Sequence, residues 1–310
     1  MSKGIDNPNT WRAGKEGIES PELFRGTLAF DFIFSRDENG VKHPFCVEIN
    51  GHAAGGPKEI EDIKKIEDDK NRQIVTRLRF LNTPEYHEHM RSIKNDPDIS
   101  EDERRSRILE LDRAPKKHAF ANPPYIAEVT NDKEKQQQFI PPENKPREYR
   151  VGESPISSTG LWVCKPRHGE MGEGILILDN KEFQEWSRNM NEDFVVQEFI
   201  YASPPDNAPE GMADHIGSMR LHLDFQYLQN GKIKLVYMIA FQRVALSQPT
   251  DPLQMTNHLD REKAFIINAA RGEEIAPASD EEKRLALPIA EQIIHNLATR
   301  YRESLETSES

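Results

Sequence analysis

Two short segments near the start of the chain alternate apolar and polar residues with the period of a β-strand. In Leu28–Phe34 three phenylalanines alternate with other residues, and Asp31 stands between two of them. In Phe45–Asn50 every second residue is apolar, and the intervening residues are Cys46, Glu48 and Asn50. Because successive side chains of a strand point to opposite faces, Glu48 and Asn50 share one face and Asp31 lies opposite the phenylalanines.

The connection between these segments predicts how they pair. Residues 35–40 are rich in turn formers and end in a glycine, which indicates an antiparallel hairpin. Such a hairpin buries one apolar face and gathers two carboxylates and an amide on the other. Oxygen ligands of this kind suit Mg²⁺, which binds a few carboxylates together with water and phosphates. The alternative is a polar face turned to solvent, the usual position of charged side chains.

Further along the chain the pattern becomes helical and then strand-rich. Residues 58–117 are charged and helix-favouring, with isoleucines at helical spacing over 60–66, and Ser100–Glu103 resembles a helix start, so we expect a helical subdomain here. Apolar runs predict later strands at 161–166, 175–178, 194–200, 219–228 and 233–246, and amphipathic patterns predict helices at 181–188 and 280–301.

Charge and composition exclude several function classes. The net charge of −12 over 310 residues argues against a general nucleic-acid binder and against binding to an anionic membrane surface, although a local basic cleft remains open. No apolar run is long enough to span a bilayer, and the first residues lack the apolar core of a signal peptide. The two cysteines, Cys46 and Cys164, lie in predicted strands and read as buried thiols of a cytoplasmic protein.

A lysine followed by a glycine-rich loop is the second chemical signal. Lys165 ends a predicted strand, and Gly169, Gly172 and Gly174 follow it. A lysine and closely approaching backbone N–H groups can surround phosphates. The segment is neither a P-loop, because no Gly-Lys-Ser/Thr follows, nor a dinucleotide fingerprint, because it leads into a strand. The alternative is a β-hairpin with a glycine turn.

Other residues carry weaker signals. The end of the strand around Gln197, Glu198, Phe199 and Ile200 can present backbone amides to an adenine edge, although many buried strands look similar. Strand-associated arginines, Arg220, Arg243 and Arg271, have donor geometry suited to phosphates and carboxylates, with a structural salt bridge as the alternative for Arg243. No zinc-ligand spacing and no catalytic triad stands out.

Together these segments resemble the ATP-grasp family of carboxylate–amine ligases. In that family a lysine-bearing strand and a glycine-rich loop cover the ATP phosphates, and Lys165 with the loop 169–174 resembles this pair. A second lysine from the small subdomain resembles Lys133, and the hinge strand that holds adenine resembles Val195–Ile200. Residues 265–272, followed by the helix from Asp280, resemble the Asn-x-x-x-Gly segment and helix of glutamate-ligase-like members.

The resemblance departs from the usual order at the end of the chain. Most family members continue with one strand bearing Asp and another bearing Glu-x-Asn, which bind magnesium, whereas here these residues occur at the front as Asp31, Glu48 and Asn50. Eukaryotic glutathione synthetases resemble this circularly permuted arrangement. The similarity covers about residues 24–56 and 126–298. It predicts that the hairpin pairs beside a strand containing Phe265–Asn268.

The resemblance implies a fold and a set of roles. The fold would be α+β: two subdomains grip ATP between antiparallel sheets, with a helical insertion. The implied segments are a metal-binding hairpin at 1–57, a helical substrate or lid region at 58–125, a small subdomain at 126–200 and a large subdomain at 201–310. The implied binding residues are Asp31, Glu48 and Asn50 for two Mg²⁺ ions, Lys133, Lys165 and Gly169, Gly172 and Gly174 for phosphates, and Gln197, Glu198, Phe199 and Ile200 for adenine.

The implied reaction transfers the γ-phosphoryl group of ATP to a carboxylate, after which an amine attacks the acyl phosphate. Arg243, with Arg271, would stabilise the transferring group, and Lys165 would act with them. The implied partners are small-molecule or peptide carboxylates and amines, with no nucleic acid and no membrane, and a homodimer is compatible with the chain. The alternatives are an ATP-grasp kinase that phosphorylates a hydroxyl group, and a non-catalytic protein that binds nucleotide or docks a partner through residues 58–120.

Overall fold

The described part of the chain consists of two antiparallel sheets with helices packed against them. The computed structural model describes residues 20–51, 100, 103, 122–150, 153–168, 174–189, 193–246, 251–255, 257–265 and 273–308. The strands are β1 (Glu22–Arg36), β2 (Lys42–Asn50), β3 (Leu161–Pro166), β4 (Leu176–Asp179), β5 (Phe194–Glu198), β6 (Gly217–Leu228), β7 (Ile233–Ala245) and β8 (Glu273–Pro277). The α-helices are α1 (Pro124–Thr130), α2 (Lys133–Gln136), α3 (Asn180–Ser187), α4 (His258–Phe265) and α5 (Asp280–Ser308). Short 3₁₀ turns occupy Pro142–Asn144 and Pro252–Gln254.

The two sheets have a simple order. The larger one has five strands in the order β2-β1-β6-β7-β8, and the smaller one has three in the order β4-β3-β5. All pairings are antiparallel. The chain is therefore a mixed α+β protein, and its first two and last two described strands, β1–β2 and β7–β8, belong to the same sheet.

The first hairpin is confirmed, and its turn explains why it forms. The side chain of Asp37 accepts hydrogen bonds from the amides of Asn39 and Val41, both at 2.9 Å. Gly40 has φ of 79°, in the left-handed region that glycine adopts at little cost. Local side-chain and backbone bonds thus close the turn that the composition of residues 35–40 predicts.

A β-bulge in β2 changes the predicted alternation. Asp31 pairs with Glu48, but the next residue, Phe32, pairs with Cys46, so Val47 is an extra residue. Cys46 consequently lies in the apolar core and not on the polar face that the alternation assigns to it. Glu48 keeps its predicted face beside Asp31, because the bulge comes before it. Bulges re-aim the backbone, and the site described below uses the carbonyl group of Val47.

The core of the larger unit lies between one face of the sheet and two helices. Phe30, Phe32 and Leu221 are fully buried on the sheet, and they belong to the same cluster as Ile293 of α5 and Ile126 of α1. Each such side chain contributes about 1.5–3 kcal/mol on burial. Residues 126–140, predicted within the small subdomain, thus contribute to the core of the larger unit.

The smaller sheet has its own core. Trp162 on β3, Val196 on β5 and Phe183 on α3 form this cluster. A capping box between Asp179 and Glu182 starts α3: each side chain accepts the backbone amide of the other residue. The predicted strands and helix of this region are confirmed within one or two residues.

The prediction that the hairpin pairs beside a strand containing Phe265–Asn268 is wrong. Phe265 ends helix α4 and is not in a strand, while 266–268 lie outside the described residues. The cause is Arg261, a 2% exposed side chain that donates to the carbonyl oxygens of Pro252 and Met255 at 3.0 Å each and to carboxylates of the smaller unit. The hairpin pairs instead with β6, where Asp31 is opposite Arg220. The pairing expected of a circularly permuted arrangement is therefore not present at Phe265.

Two further differences concern element boundaries. Strand β8 was not predicted, because Glu273–Pro277 is a short edge segment that contains two glutamates. The predicted helical stretch 58–117 lies outside the described residues, apart from Ser100 and Glu103. There the hydroxyl group of Ser100 accepts the amide of Glu103 at 3.2 Å, as in a helix N-cap.

Within the described residues no helix is both long and apolar enough to cross a membrane.

A buried lysine ties the hairpin to the last helix. The Nζ of Lys42 lies 2.7 Å from a carboxylate oxygen of Asp206 and 2.7 Å from one of Glu282, and the side chains of Lys42 and Glu282 are each 1% exposed. Ser279 and Glu282 also form reciprocal hydrogen bonds at the start of α5. Burial raises the pKa of both carboxyl groups, but hydrogen bonds from Lys42 and their other partners hold each pKa below its usual value.

Replacing Lys42 with methionine should lower the free energy of unfolding at pH 7 by about 3–5 kcal/mol, because two carboxylates lose their cation. Groups with a depressed folded-state pKa stabilise the fold above their unfolded pKa, which is 4.5 for Glu282, and lose this contribution as pH falls. Urea unfolding at pH 7 and at about pH 4 should therefore show a smaller defect at the lower pH. Lys232→Met, at an exposed turn, is the matched control; equal effects of the two variants would contradict a stabilising role for Lys42.

Candidate functional site

The three predicted metal ligands lie together on the polar face of the larger sheet. Asp31 on β1 is opposite Glu48 on β2, and Ala29 is opposite Asn50. The amide nitrogen of Asn50 donates to Oδ2 of Asp31 at 3.3 Å. Glu48 and Asn50 follow the bulge, so the alternation of side chains in β1 and β2 places all three groups on one face.

Arg220, whose donor geometry the sequence singles out but to which the resemblance gives no role, completes this row. Arg220 on β6 binds Asp31 with two hydrogen bonds of 2.6 Å, one to each carboxylate oxygen. Both residues are 8% exposed. Burial raises the pKa of Asp31, but the Arg220 guanidinium outweighs it, with a contribution from Arg243, and lowers the pKa to about 2. Asp31 is therefore ionised, and both of its oxygens have a cationic partner.

Lys165 connects the two sheets at this row. It extends from β3 of the smaller sheet, and its Nζ donates to the carbonyl oxygen of Val47 at 3.1 Å and to Oε1 of Gln197 at 3.0 Å. The Val47 carbonyl is the one displaced by the β-bulge. Burial lowers the pKa of Lys165 and nearby Lys133 lowers it further, against the opposing effect of the carboxylate of Glu48. The ammonium group of Lys165 therefore lies at the edge of the polar face of the larger sheet.

Lys133 reaches the same place from the helix α2. Its Nζ lies 3.5 Å from Oε1 of Glu48. The helix is fixed at its start by Asp132, whose carboxylate accepts the amides of Glu134 and Lys135 and binds the guanidinium of Arg167. Four predicted groups, the carboxylates of Asp31 and Glu48 and the two lysine ammonium groups, therefore meet at the junction of the sheets.

A buried glutamine, which sequence reasoning missed, holds α2 against β2. Oε1 of Gln136 accepts the amide of Ile49 at 3.0 Å, and its Nε2 donates to the carbonyl of Thr130 at 2.6 Å. The end of β2 also passes close to α1, because a Cβ atom at Gly51 would lie 1.9 Å from Oγ1 of Thr130. These contacts set the distance between Lys133 and Glu48.

The predicted adenine-binding segment already has several internal partners. The amide of Glu198 donates to the carbonyl of Arg147 at 2.8 Å, and that of Phe199 to the carbonyl of Leu161 at 3.1 Å. The carboxylate of Glu198 accepts the amide of Ser158 at 2.6 Å. These two backbone amides are used within the protein, so an adenine edge would have to use other groups of the segment, such as those of Ile200.

The glycine loop lies only partly within the described residues. Gly174 has φ of 70°, and a Cβ atom there would lie 3.0 Å from Cγ of Pro166, so glycine is the residue that fits. Gly169 and Gly172 of this loop, and also Arg271, lie outside the described residues.

Arg243 lies on the same face of the sheet, on the neighbouring strand β7, one row along from the row of Asp31 and Arg220. It pairs with Ser218 in the sheet register, and its guanidinium lies 5.8 Å from the centre of the Phe241 ring. The side chain is 6% exposed and contributes to the field at Asp31. His222, two positions from Arg220 on β6, stacks on the same Phe241 ring at 5.8 Å. Burial lowers the pKa of His222 to about 3, so the imidazole is neutral.

Positively charged side chains are in the majority at this site, as is typical of sites that bind anions. The cations Lys133, Lys165, Arg220 and Arg243 outnumber the two carboxylates of Asp31 and Glu48. Among the described residues no group of three or more His, Cys, Asp or Glu side chains is arranged to hold a metal ion. The arrangement is therefore suited to a polyanion such as a phosphate chain, with a divalent cation entering together with it.

No protein-family description matches the chain, and no curated protein is similar to it in sequence at a significant level. Among solved structures, the chain is similar to a glutathione synthetase-like effector from Globodera pallida in its apo form. The TM-score is 0.41 and the identity 11%, over 72% of this chain and 74% of that one. Similarity at this level does not assign the chain to a family.

Proposed function

We propose that the protein is an ATP-dependent carboxylate–amine ligase of the ATP-grasp type, with its metal-binding hairpin moved to the front of the chain. It would activate a carboxylate as an acyl phosphate, join it to an amine and release ADP and phosphate. One observation carries the proposal. The ammonium groups of Lys165 and Lys133, from separate elements, converge on Glu48 and the Val47 carbonyl, next to the buried pair Asp31–Arg220.

Each side chain at this junction has a proposed role. Lys133 and Lys165 bind the phosphates, because a phosphate oxygen can replace the contact of Lys133 with Glu48 and that of Lys165 with Gln197. Arg243, together with Arg271, neutralises the charge of the transferring group. Gly169, Gly172 and Gly174 would close over the phosphates and exclude water. The segment at 197–200 would bind adenine through backbone groups other than the two amides already used.

The residues present fit Mg²⁺ by the chemistry of their donors. Glu48 and Asn50 supply oxygen atoms, and Asp31 would add an ionised carboxylate once Arg220 has released it. Bound there, one or two magnesium ions would neutralise phosphate charge. Because four cations surround the site, we propose that the metal enters with the nucleotide and not alone. Calorimetric titration with MgCl₂ alone should then show no binding, while the same titration with ADP present should.

The packing supports a proposed division of the chain. Strands β1 and β2, of the segment 1–57, share one sheet with strands β6 to β8, of the segment 201–310, and the smaller sheet lies within 126–200, although residues 126–140 pack into the core of the larger unit. The remaining segment, 58–125, would be a helical substrate or lid region. The proposed partners are a small-molecule or peptide acid and an amine. The free, buried thiols of Cys46 and Cys164 support a cytoplasmic location.

The activity can be tested without knowing the substrates. We expect phosphate release with ATP and magnesium to rise when mixed pools of amino acids, diacids and amines are added. A ligase requires both an acid and an amine for ADP release, whereas a kinase releases ADP with a hydroxyl acceptor and no amine. Because a kinase leaves the phosphoryl group on its acceptor, phosphate release that no pool stimulates would contradict the ligase reaction, and ADP release that no pool stimulates would contradict both reactions.

One observation favours a second candidate, a nucleotide-binding protein without catalysis. Both carboxylate oxygens of Asp31 are bound by Arg220, so this ligand is not available to a metal ion in the arrangement described. Magnesium-dependent ATP binding without turnover, over the same pools, would favour this candidate. Turnover would require Arg220 to exchange Asp31 for a phosphate or substrate group.

A further inference from the structure

Two lysines of the chain are held by partners of opposite kinds. The ammonium group of the buried Lys42 lies 2.7 Å from a carboxylate oxygen of each of two acidic side chains. The ammonium group of the half-buried Lys165 donates instead to two neutral oxygens, the Val47 carbonyl at 3.1 Å and Oε1 of Gln197 at 3.0 Å. Carboxylates neutralise an ammonium group, whereas amide oxygens leave its charge to attract another anion. The partners of Lys165 therefore hold it in place with its charge available.

The register of the smaller sheet explains how Gln197 reaches Lys165. Between β3 and β5, Lys165 is opposite Val195, and Gln197 is opposite Val163. Lys165 and Gln197 are therefore diagonal neighbours on one face of the sheet, a separation that two long side chains can bridge. Gln197 is only 1% exposed, so its amide group depends on partners within the protein.

The nitrogen end of the Gln197 amide has a partner of its own. Its Nε2 donates to Oε1 of Gln137 at 2.8 Å, and Gln137, 5% exposed, is the residue at which α2 ends. The start of the same helix is bonded to the smaller unit, because the amide of Lys133 donates to the carbonyl of Arg167 at 3.2 Å. Gln137 is thus firmly placed, and it keeps the oxygen end of the Gln197 amide turned toward Lys165.

The chemistry of these contacts explains why residue 197 is a glutamine. An amide accepts at one end and donates at the other, as the contacts with Lys165 and Gln137 require. A carboxylate would bind the ammonium group as an ion pair and withhold it from a phosphate, and an apolar side chain would not hold it at all. Glu48 and Asp31 act on Lys165 through space, so its directly bonded partners do not neutralise it.

We propose that Gln197 is a positioning residue of the phosphate site: it holds the ammonium group of Lys165 in place, without neutralising it, until a phosphate oxygen takes over this contact. The inference rests on the proposed function, because it concerns the phosphate site of that ligase. The proposed adenine contacts use backbone groups of the segment 197–200, so they leave the Gln197 side chain to this role.

Replacing Gln197 with glutamate changes the charge and keeps the size. Glutamate still accepts from Lys165, and the amide of Gln137 can turn to donate to its second oxygen. We expect the parent melting temperature. The affinity of the full chain for MgADP, measured by calorimetric titration, should fall about tenfold or more, because the phosphate must displace a carboxylate. The matched control is Gln184→Glu, which adds the same charge at an exposed position of α3 and should bind MgADP like the parent.

A double-mutant cycle shows whether Gln197 acts through Lys165. Gln197→Leu removes the acceptor and Lys165→Met removes the ammonium group, and each should weaken MgADP binding. In the Lys165→Met background, Gln197→Leu should cause no further loss, because the group that it positions is absent. Additive losses would assign Gln197 a role in the fold and overturn the positioning role. The cycle gives this answer even where Gln197→Glu lowers the melting temperature.

The remaining outcomes separate this inference from the proposed function. Parent-like MgADP affinity of Gln197→Glu, or an equal loss in Gln184→Glu, would overturn the positioning role and leave the ligase function untouched. The expected binding losses, together with ADP release that no pool of acids and amines stimulates, would overturn the ligase function alone. Failure of the parent protein to bind MgADP would overturn both.

Discussion

Replacing Glu48 with glutamine is expected to abolish ATP turnover and to weaken binding of magnesium–ATP by roughly a hundredfold or more, with the fold retained. Glutamine has the same shape but lacks the charge that a magnesium ion needs from this position. Glu48 is also the group that Lys133 approaches at 3.5 Å, and the Glu48 side chain is 30% exposed, so a glutamine side chain of the same size fits in its place. Calorimetric titration with magnesium and ATP, together with phosphate release, measures both effects.

The matched control for this prediction is Glu38→Gln. Glu38 lies in the exposed turn of the same hairpin, so the change in charge is identical but distant from Lys165 and Lys133. We expect parent-like binding and turnover from the control. Parent-like binding and turnover by Glu48→Gln itself would show that the metal assignment is wrong.

Replacing Arg220 with methionine is expected to lower the free energy of unfolding by about 3–5 kcal/mol at pH 7. The substitution leaves the carboxylate of Asp31 buried without its two hydrogen bonds. The pKa of Asp31 is about 2, below its unfolded value of 3.8, so the pair stabilises the fold above pH 3.8 and this contribution disappears as pH falls toward 2. Urea unfolding at pH 7 measures the loss of stability.

A double-mutant cycle separates the ion pair from general packing. Asp31→Leu combined with Arg220→Met should recover much of the stability lost by Arg220→Met alone, because no unpaired charge remains buried. Arg25→Met, on the same strand, removes an exposed ion pair with Glu22 and should change stability by less than about 1 kcal/mol. Additive effects of the Asp31 and Arg220 substitutions would contradict the coupling.

The hairpin could be predicted because its determinants are local. Period-two alternation assigns Asp31, Glu48 and Asn50 to one side, and the turn of Asp37 to Gly40 carries its own hydrogen bonds. The same holds for Lys165, whose position at the end of a short apolar strand follows from the neighbouring residues.

The bulge at Val47 could not be predicted. A single extra residue interrupts the alternation without a glycine or proline to mark it, so Cys46 was assigned to the wrong face. The same bulge directs the Val47 carbonyl toward Lys165. An irregularity without a local signal thus shapes the proposed site.

Pairing between residues that are distant in the sequence could not be predicted either. Asp31 and Arg220 are 189 residues apart, and nothing near either residue indicates that they pair. Phe265 was predicted in a strand beside the hairpin because its neighbours are apolar, but the buried contacts of Arg261 hold that segment as a helix. The partner of a strand depends on packing across the whole chain, which local patterns do not contain.

A crystal structure of the chain with ADP and magnesium tests the central claim most directly. The account predicts phosphate oxygens within hydrogen-bond distance of the Nζ atoms of Lys133 and Lys165, and a magnesium ion bound by Glu48 and Asn50. Nucleotide bound elsewhere, or a phosphate chain that contacts neither lysine, would contradict it.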